Sequence, residues 1–259
     1  MSFIMKIVTG CALTLVSCFA FAEQKLSTLT ADLTSQDKPP VLLELYTSEG
    51  CSSCPRADRW LRKLDQAEGL WTEYVPMAFH VDYWNYLGWK DRFSSQRYSD
   101  RQRKYQNDGQ INSVYTPGFI VSGQEWRSWF SNPSLEYVLD KVQTPENKAV
   151  LQLNVENGRY QISYSGELSD IGDVNFALLG MGIKTSVKRG ENHGRNLEHD
   201  FVVLDWQKLD KNRDNWTGQI DSQYDHEVEG YAVVAWVENA AINTPKQVVA
   251  GYLSRSEES

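Results

Sequence analysis

Cysteine is scarce in this sequence, which contains four in 259 residues. Two of them, Cys11 and Cys18, lie within residues 1–22, a segment that has the form of an export signal. The exported chain would then keep Cys51 and Cys54 in its folded part. A single pair is too few for a fold held together by disulfides, so the sequence predicts that this pair does chemistry.

Long apolar runs are also absent after residue 22, which excludes a later membrane-spanning helix. Before that point, Lys6 is the single charge, and Ala20-Phe21-Ala22 offers a small-residue cleavage site before Glu23. These features predict a signal peptide over residues 1–22, cleaved after Ala22. We therefore expect a bacterial protein of the periplasm or one that is secreted.

Two alternatives for this N-terminal segment stay open. Leu15-Val16-Ser17-Cys18 resembles a bacterial lipobox, in which case Cys18 would become the lipidated first residue. The protein would meet a membrane only in that case, unless the segment stays uncleaved as an anchor.

An excess of basic residues is the third absence. The chain has 26 Lys and Arg against 34 Asp and Glu, for a formal net charge of −8 at pH 7. Such a chain is a poor general binder of nucleic acid or of anionic membranes. We expect no nucleic-acid partner.

The rest of the chain divides into two predicted parts. Residues 23–38 are polar and indicate a linker, followed by a first domain over 39–146. Within it, an apolar strand from Val41 to Thr47, a helix after Cys54 and a second strand from Tyr74 to Val81 predict a right-handed crossover with parallel strands.

Past residue 91 the pattern changes twice. Residues 92–107 look helical and locally basic, and we expect the helix around Arg101 to present a solvated face. From 148 to 255 the alternation of apolar and polar residues predicts a small antiparallel β domain. Its predicted strands are Val150 to Val155, Arg159 to Ser165, Phe176 to Val187, Asp200 to Leu209 and Tyr231 to Glu238.

The motif that carries chemistry is Cys51-Ser52-Ser53-Cys54-Pro55, directly after the first strand and its turn. Proline is tolerated only in the first turn of a helix, so Ser52 or Ser53 should cap the helix and both cysteines should lie at its positive end. Free N–H groups and the helix dipole stabilise a thiolate there, which is the attacking species in disulfide exchange. We expect Cys51 to be exposed and nucleophilic, and Cys54 to be buried and resolving.

The order of strand, Cys-x-x-Cys, helix, strand, helix, Thr-Pro, hairpin and helix resembles the thioredoxin fold. More closely, the chain resembles an uncharacterised family of exported bacterial thioredoxin-like proteins, a domain of unknown function. The resemblance implies an α/β fold, thioredoxin-like, followed by a small antiparallel β domain. The matching stretches run from Thr47 to Pro55, His80 to Asp91, Arg101 to Tyr105, Val114 to Pro117 and Gly190 to Arg195.

The resemblance also implies roles for two residues outside the motif. Pro117 would be a cis proline facing the cysteines, and Thr116 would pair its backbone with an extended substrate. Gly118 departs from the glutamine that usually follows in this family, so a substrate contact through that side chain would be missing.

Three further residues are candidates for an accessory role. Glu44 lies in the apolar first strand, seven residues before Cys51, and either acts as a general base or forms a salt bridge. His80 and Asp82 are two apart on the second strand and hence on one face, near the rim where Cys51 is expected. They would set the thiol pKa or contact substrate, unless they bond to local backbone.

These observations predict an exported thiol–disulfide oxidoreductase that acts on protein thiols or disulfides through Cys51 and Cys54. A redox partner protein would complete its cycle, and neither an organic cofactor nor a metal is implied. One alternative is a copper-binding or copper-delivery protein that uses the same dithiol with His80, because two thiolates and an imidazole suit copper. Another is a non-catalytic binding module that acts through its β domain.

Overall fold

The computed structural model describes residues 26–255 except 143, 212, 214 and 221–227. The predicted signal peptide, its cleavage site after Ala22 and the lipobox alternative at Cys18 therefore lie outside the described residues. Within the described part, none of the helices is both long enough and apolar enough to cross a bilayer.

The described chain is a mixed α/β structure with three α-helices and fifteen strands. The helices are α1 Cys54–Arg62, α2 Gln96–Asn107 and α3 Leu135–Lys141. Short 3-10 turns span Leu26–Thr28, Lys63–Gln66, Asn85–Leu87, Arg127–Phe130 and Leu168–Asp170. The strands are β1 Leu29–Thr34, β2 Val41–Thr47, β3 Tyr74–His80, β4 Gly118–Val121, β5 Gln124–Glu125, β6 Leu151–Glu156, β7 Arg159–Tyr164, β8 Ile171–Met181, β9 Ile183–Ser186, β10 Asn196–His199, β11 Val202–Leu209, β12 Asn215–Gln219, β13 Gly230–Asn239, β14 Pro245–Tyr252 and β15 Ser254–Arg255.

One eight-stranded sheet runs through both halves of the chain, in the order β14-β13-β8-β11-β3-β2-β4-β5. β2 and β3 are parallel, as the sequence predicts, and β4 pairs antiparallel to β2. β11 adds to the free edge of β3 in parallel, with Val202 opposite Ala78. Four of the strands after residue 148, β8, β11, β13 and β14, therefore extend the sheet of the first half.

A second sheet of five strands, β12-β7-β6-β1-β15, covers one face of the large sheet. β1 lies in the segment interpreted above as a linker, and it pairs antiparallel with β6 and with β15. Towards the end of β1, half-buried residues alternate with exposed ones, as expected for a strand with one buried face. Composition alone does not distinguish such a polar strand from a linker. Aromatic stacking of Tyr160 on Phe176, 4.0 Å between ring centroids, joins the two sheets.

The segment from β2 to α1 is the part of the fold that positions the cysteines. Every residue of β2 is buried, and the chain turns at residues 48–50 into the helix. Ser53 is the N-cap residue of α1 and Pro55 lies in the first turn, as predicted, although the Ser53 side chain makes no capping hydrogen bond. Alternation along β2 directs Thr47 towards α1, whereas Glu44 and Tyr46 point to the opposite face, where α2 packs.

The predicted solvated face around Arg101 is wrong, because this arginine is buried against the sheet. Its guanidinium donates to both carboxylate oxygens of Glu44, at 2.8 and 2.9 Å, and to Glu238 at 3.0 Å. It also donates to the Tyr105 hydroxyl one turn further along α2. Helix α2 begins at Gln96, later than predicted. The Ser95 hydroxyl accepts the Arg97 N–H and caps the N-terminus of this helix.

This burial leads to a first prediction. Arg101→Met should lower the free energy of unfolding by about 3–5 kcal/mol, because it leaves the carboxylates of Glu44 and Glu238 buried without their cation. Arg103→Met on the same helix should cost less than about 1 kcal/mol, since Arg103 is exposed and pairs with the exposed Asp100. Urea denaturation of both variants measures the difference, and equal losses would show that the buried pair does not stabilise the fold.

Candidate active site

Cys51 and Cys54 form a disulfide at the carboxyl end of β2, with their Cα atoms 5.4 Å apart. Cys51 ends the loop after β2, and its N–H donates to the Ser48 carbonyl at 3.1 Å. Cys54 is the first residue of α1, and its N–H donates to the Cys51 carbonyl at 3.2 Å. The Cys51 sulfur lies 3.3 Å from the Ser53 hydroxyl. The pair therefore sits at the N-terminal end of the helix.

Cys51 is buried, contrary to the expectation that it would be exposed. Its exposed fraction is 1%, against 0% for Cys54, while Ser52 and Ser53 between them are exposed. Trp84 packs over the loop so closely that a Cβ on Gly50 would lie 3.1 Å from the Trp84 Cβ. The aromatic loop after β3 therefore packs against the loop that carries this cysteine.

Thr116 and Pro117 lie at the same rim of the sheet. Their peptide bond is cis, as the resemblance implies, and β4 begins directly afterwards with Gly118 opposite Tyr46 of β2. The Trp84 indole N–H donates to the Thr116 hydroxyl at 2.7 Å. Trp84 thus bridges the Cys51 loop and the Thr116-Pro117 segment.

Beneath the loop lies a cluster of five buried ionisable side chains: Glu49, Asp58, His80, Asp91 and His199. His80 Nδ1 and Asp91 Oδ2 are 2.7 Å apart, and Asp91 Oδ2 also accepts the Glu49 N–H at 2.9 Å. His199 lies between two carboxylates, with Nε2 3.7 Å from Glu49 Oε1 and Nδ1 4.0 Å from Asp58 Oδ2. The two imidazole rings meet edge to face at 5.1 Å.

The pKa values in this cluster diverge. Burial raises the pKa of Asp58 to about 7, although the charge on His80 and the hydrogen bond from Thr47 oppose the shift. Burial lowers the pKa of His80, but Asp91 outweighs that effect and raises it to about 9. Burial and the charge on His80 lower the pKa of His199 to about 3. At neutral pH, His80 is therefore a cation paired with Asp91, His199 is neutral, and Asp58 is poised to gain or lose a proton.

Asp58 is the buried acid on the helix that begins at Cys54. It follows Cys54 by four residues on α1, so the two side chains lie on one face of the helix, a turn apart. Thr47 at the end of β2 donates to Asp58 Oδ1 at 2.8 Å and holds the carboxylate against the sheet. A carboxylate with a pKa near 7 next to a buried thiol can exchange protons with it.

A cavity of about 120 Å³ between α1 and β10 reaches this acid from the surface. Asp58 and His199 line its buried side, and the exposed Arg62 and Glu198 line its outer side. The cavity gives Asp58 a route for proton exchange with solvent.

The structure brings together some of the predicted site residues and separates others. His80 belongs to the buried cluster on the α1 side of the sheet. Thr47, which pairs with His80 across β2 and β3, faces the same side. Asp82 lies beyond the end of β3 and bonds to Ser99 of α2, so His80 and Asp82 do not share a face. Glu44 is on the α2 side, held by Arg101, and its place as the buried acid near the dithiol is taken by Asp58.

Sequence reasoning missed Asp58, Glu49, His199 and Asn192. The signal for Asp58 was available, because Cys54, Ala57, Asp58 and Leu61 form one inward-facing stripe on α1, in which a carboxylate is out of place. His199 and Asn192 reach the site from more than 130 residues away. No local pattern marks His199, whereas Asn192 lies in the Gly190 to Arg195 stretch that carries the family resemblance.

The described residues contain no group of three or more His, Cys, Asp or Glu side chains arranged to hold a metal ion. His80 has one ring nitrogen bonded to Asp91, and His199 stands between two carboxylates without bonding either. The donors of the buried cluster are thus spread along ion-pair contacts and do not converge on a point.

Comparison with known proteins places the chain in a structural context. No curated protein sequence matches it significantly. The crystal structure of protein AGR_C_4864 from Agrobacterium tumefaciens is similar, with 26% identity and a TM-score of 0.57, over 87% of this chain and 98% of that one. HBP35 of Porphyromonas gingivalis shares the fold at 14% identity, with a TM-score of 0.52, over 87% of this chain and 79% of that one.

A family model described as "Protein of unknown function (DUF1223)" matches residues 42–238. The matched region begins inside β2 and ends in β13, so it includes the dithiol, the buried cluster and the strands that join the two halves. Because the match spans most of the sequence, the chain belongs to the DUF1223 family.

Proposed function

We propose that this protein is a thioredoxin-like thiol–disulfide oxidoreductase that acts on protein thiols or disulfides. The observation that carries the proposal is the Cys51–Cys54 disulfide at the start of α1, with the buried Asp58 one helical turn beyond it. The order β2, α1, β3, α2, β4, β5, α3, with β2 and β3 parallel and Pro117 in cis before β4, supports the thioredoxin-like assignment.

The reaction starts from the reduced protein. The Cys51 thiolate attacks one sulfur of a substrate disulfide, forms a mixed disulfide and displaces the first substrate thiolate. The Cys54 thiol then gives its proton to the Asp58 carboxylate, and the resulting thiolate attacks the Cys51 sulfur. The second substrate thiolate leaves, Cys51 and Cys54 are joined, and two electrons have passed to the substrate. A redox partner protein would reverse these steps to regenerate the dithiol.

Thr116 and Pro117 are the proposed positioning residues for an extended substrate. Trp84 ties the Thr116 side chain to the loop that carries Cys51, so the substrate backbone and the attacked sulfur would be aligned by one connected set of contacts. Tyr86, with 77% of its surface exposed, stands at this rim and offers an aromatic surface to the substrate.

A second prediction tests the roles of the two cysteines. Cys54→Ser should accumulate mixed disulfides with protein substrates through Cys51, because no resolving thiol remains, whereas Cys51→Ser should accumulate none. Non-reducing electrophoresis and mass spectrometry of the trapped species measure this, beside insulin reduction by the parent protein. Trapping through Cys54 would reverse the roles. Stoichiometric copper on the reduced parent without insulin reduction would favour the copper alternative, and neither property would favour a binding module.

A third prediction concerns Asp58. Asp58→Asn keeps the shape and can still accept the Thr47 hydrogen bond, but it cannot ionise. In the oxidised protein, folded Asp58 holds its proton up to about pH 7, whereas the unfolded chain loses it near its usual pKa of about 4. Stability of the parent therefore falls as the pH rises through this window. The stability advantage of the variant should grow by about 2–3 kcal/mol between pH 5 and pH 9.

The same variant should resolve mixed disulfides more slowly, by about tenfold to a hundredfold at pH 7, because Cys54 has lost its proton acceptor. The defect should shrink as the pH rises, because hydroxide can then take the Cys54 proton in place of Asp58. Urea denaturation and stopped-flow kinetics measure the two effects, with Asp100→Asn on the exposed surface as the control. A variant that resolves as fast as the parent at pH 7 would remove Asp58 from the mechanism.

We also propose that the protein works outside the cytoplasm, after cleavage at Ala22. A fourth prediction is therefore that the mature protein begins at Glu23, since the small-residue site precedes it. Intact mass spectrometry of protein from a bacterial periplasm decides this, with an Ala22→Arg variant as the uncleaved control. A diacylglyceryl mass on Cys18 would contradict it and place the protein on a membrane surface.

A further inference from the structure

A hairpin from the second half of the chain touches the Cys-x-x-Cys loop directly. Its strands are β9 and β10, which pair antiparallel, and its tip spans residues 187–195. Hydrogen bonds across the tip, from Val187 N–H to the Arg195 carbonyl and from Gly194 N–H to the Val187 carbonyl, both at 2.9 Å, give it a defined shape. The tip is therefore a preformed element that presents side chains to the dithiol.

Asn192 anchors this tip to the loop. Its buried amide group donates to the carbonyls of both Glu49 and Cys51, each at 2.9 Å, and its oxygen accepts from Arg195 at 3.0 Å. All its polar atoms are thus used, which fixes the backbone of the neighbouring residue relative to Cys51. Gly190 packs against Trp89 on the other side, where a Cβ would meet the Trp89 Cβ at 3.3 Å.

Asn192 fixes the position of its neighbour Glu191 relative to Cys51. Its carboxylate accepts the Ser52 N–H at 2.9 Å, and this hydrogen bond lowers the pKa of Glu191 below its ordinary value. Ser52 lies between Cys51 and the first turn of α1. The N–H groups at this end of the helix are those that would stabilise a Cys51 thiolate. Glu191 takes up one of them and adds a negative charge beside the thiolate.

An anion in that position acts on the redox equilibrium with a definite sign. A nearby carboxylate disfavours a thiolate and raises the thiol pKa. Only the reduced protein has a thiolate to disfavour, so the carboxylate stabilises the disulfide relative to the dithiol and makes the dithiol a stronger reductant. The motif itself supplies no charge between its cysteines, since residues 52 and 53 are serines.

We propose that Glu191 is a positioning residue that sets this dithiol towards reduction of its substrates. The proposal rests on the proposed thiol–disulfide exchange and assigns its direction: the substrate class is protein disulfides, and the partner is a protein that supplies electrons to Cys51–Cys54. The charge that biases the pair comes from the second half of the chain, which gives that half a function in the reaction.

Other charged groups also surround the loop. The elements packed around it carry Glu49, Arg56, Asp58, His80, Asp91, Lys188, Arg189, His193, Arg195 and His199. His80 and Asp91 offset each other as an ion pair, and Arg56 donates to the Phe130 carbonyl on the far side of α1. Glu191 is the one among them whose carboxylate bonds the Ser52 N–H.

A fifth prediction tests the proposal on the full mature chain. Glu191→Gln keeps an oxygen that can accept the Ser52 N–H but removes the charge. The pKa of the Cys51 thiol should fall by about 0.3–1 unit, and the equilibrium constant for reduction of the disulfide by glutathione should rise by up to about tenfold. Thiolate absorbance against pH measures the first, in a Cys54→Ser background, and glutathione redox titration measures the second.

Salt and a control variant separate charge from shape. The Glu191 carboxylate is exposed, so both shifts should shrink in 0.5 M salt compared with 20 mM salt, where screening is weak. Glu156→Gln, on an exposed strand position of the five-stranded sheet, should change neither quantity. Glu191→Lys should extend both shifts in the same direction.

These measurements distinguish a failure of the Glu191 proposal from a failure of the proposed function. If the Cys51 pKa and the glutathione equilibrium of Glu191→Gln equal those of the parent, or if the shifts are unaffected by salt, the tuning role of Glu191 is overturned. If the parent fails to reduce insulin while Glu191→Gln still lowers the Cys51 pKa in a salt-dependent way, the proposed function fails and the electrostatic role of Glu191 stands.

Discussion

Strand β3 is buried along its whole length and has both edges paired, by β2 on one side and by β11 on the other. An apolar strand with one edge left open would expose unpaired N–H and carbonyl groups to water and to other chains. The short parallel contact of β11 with β3 covers that edge at Ala78, and it also brings β9, β10 and the residues next to β11 to the rim that carries the dithiol. Because of this pairing, His199 reaches the buried cluster and the Glu191-Asn192 tip reaches the Cys51 loop.

Charged side chains are buried on both faces of the sheet, but the two faces differ in how fully those charges are paired. On the α2 side, Arg101 is neutralised by Glu44 and Glu238 through short hydrogen bonds, which suits a structural role. On the α1 side, His80 and Asp91 form one ion pair, while Asp58 and His199 have no partner of opposite charge at hydrogen-bonding distance among the described residues. Groups left in that state have shifted pKa values and can take up or release protons, which is what the proposed exchange asks of Asp58.

The proposed thioredoxin-like half and the β-rich half both contribute residues to one site around the dithiol. Asn192 holds the carbonyls of Glu49 and Cys51, Glu191 occupies the Ser52 N–H, and Trp84 and Trp89 close the space around them. The consequence is a cysteine pair with little exposed surface and with a fixed carboxylate at the end of its helix. In the proposed exchange, both features would restrict which substrates react and in which direction electrons flow.

The sequence by itself determined the local elements: β2, the start of α1 at the cysteines, the parallel β3 and the alternating strands β6 and β7. Each of these depends on residue spacing or on proline chemistry within a short window, so local reasoning finds it. Only the tertiary structure decided that Arg101 is buried, that Cys51 is covered, that residues 29–34 form a strand and that Asp58 and Glu191 flank the dithiol. These features depend on contacts between residues far apart in the chain, such as Val202 with Ala78 and Glu191 with Ser52. The spacing of residues along a sequence carries no information about which distant surfaces meet.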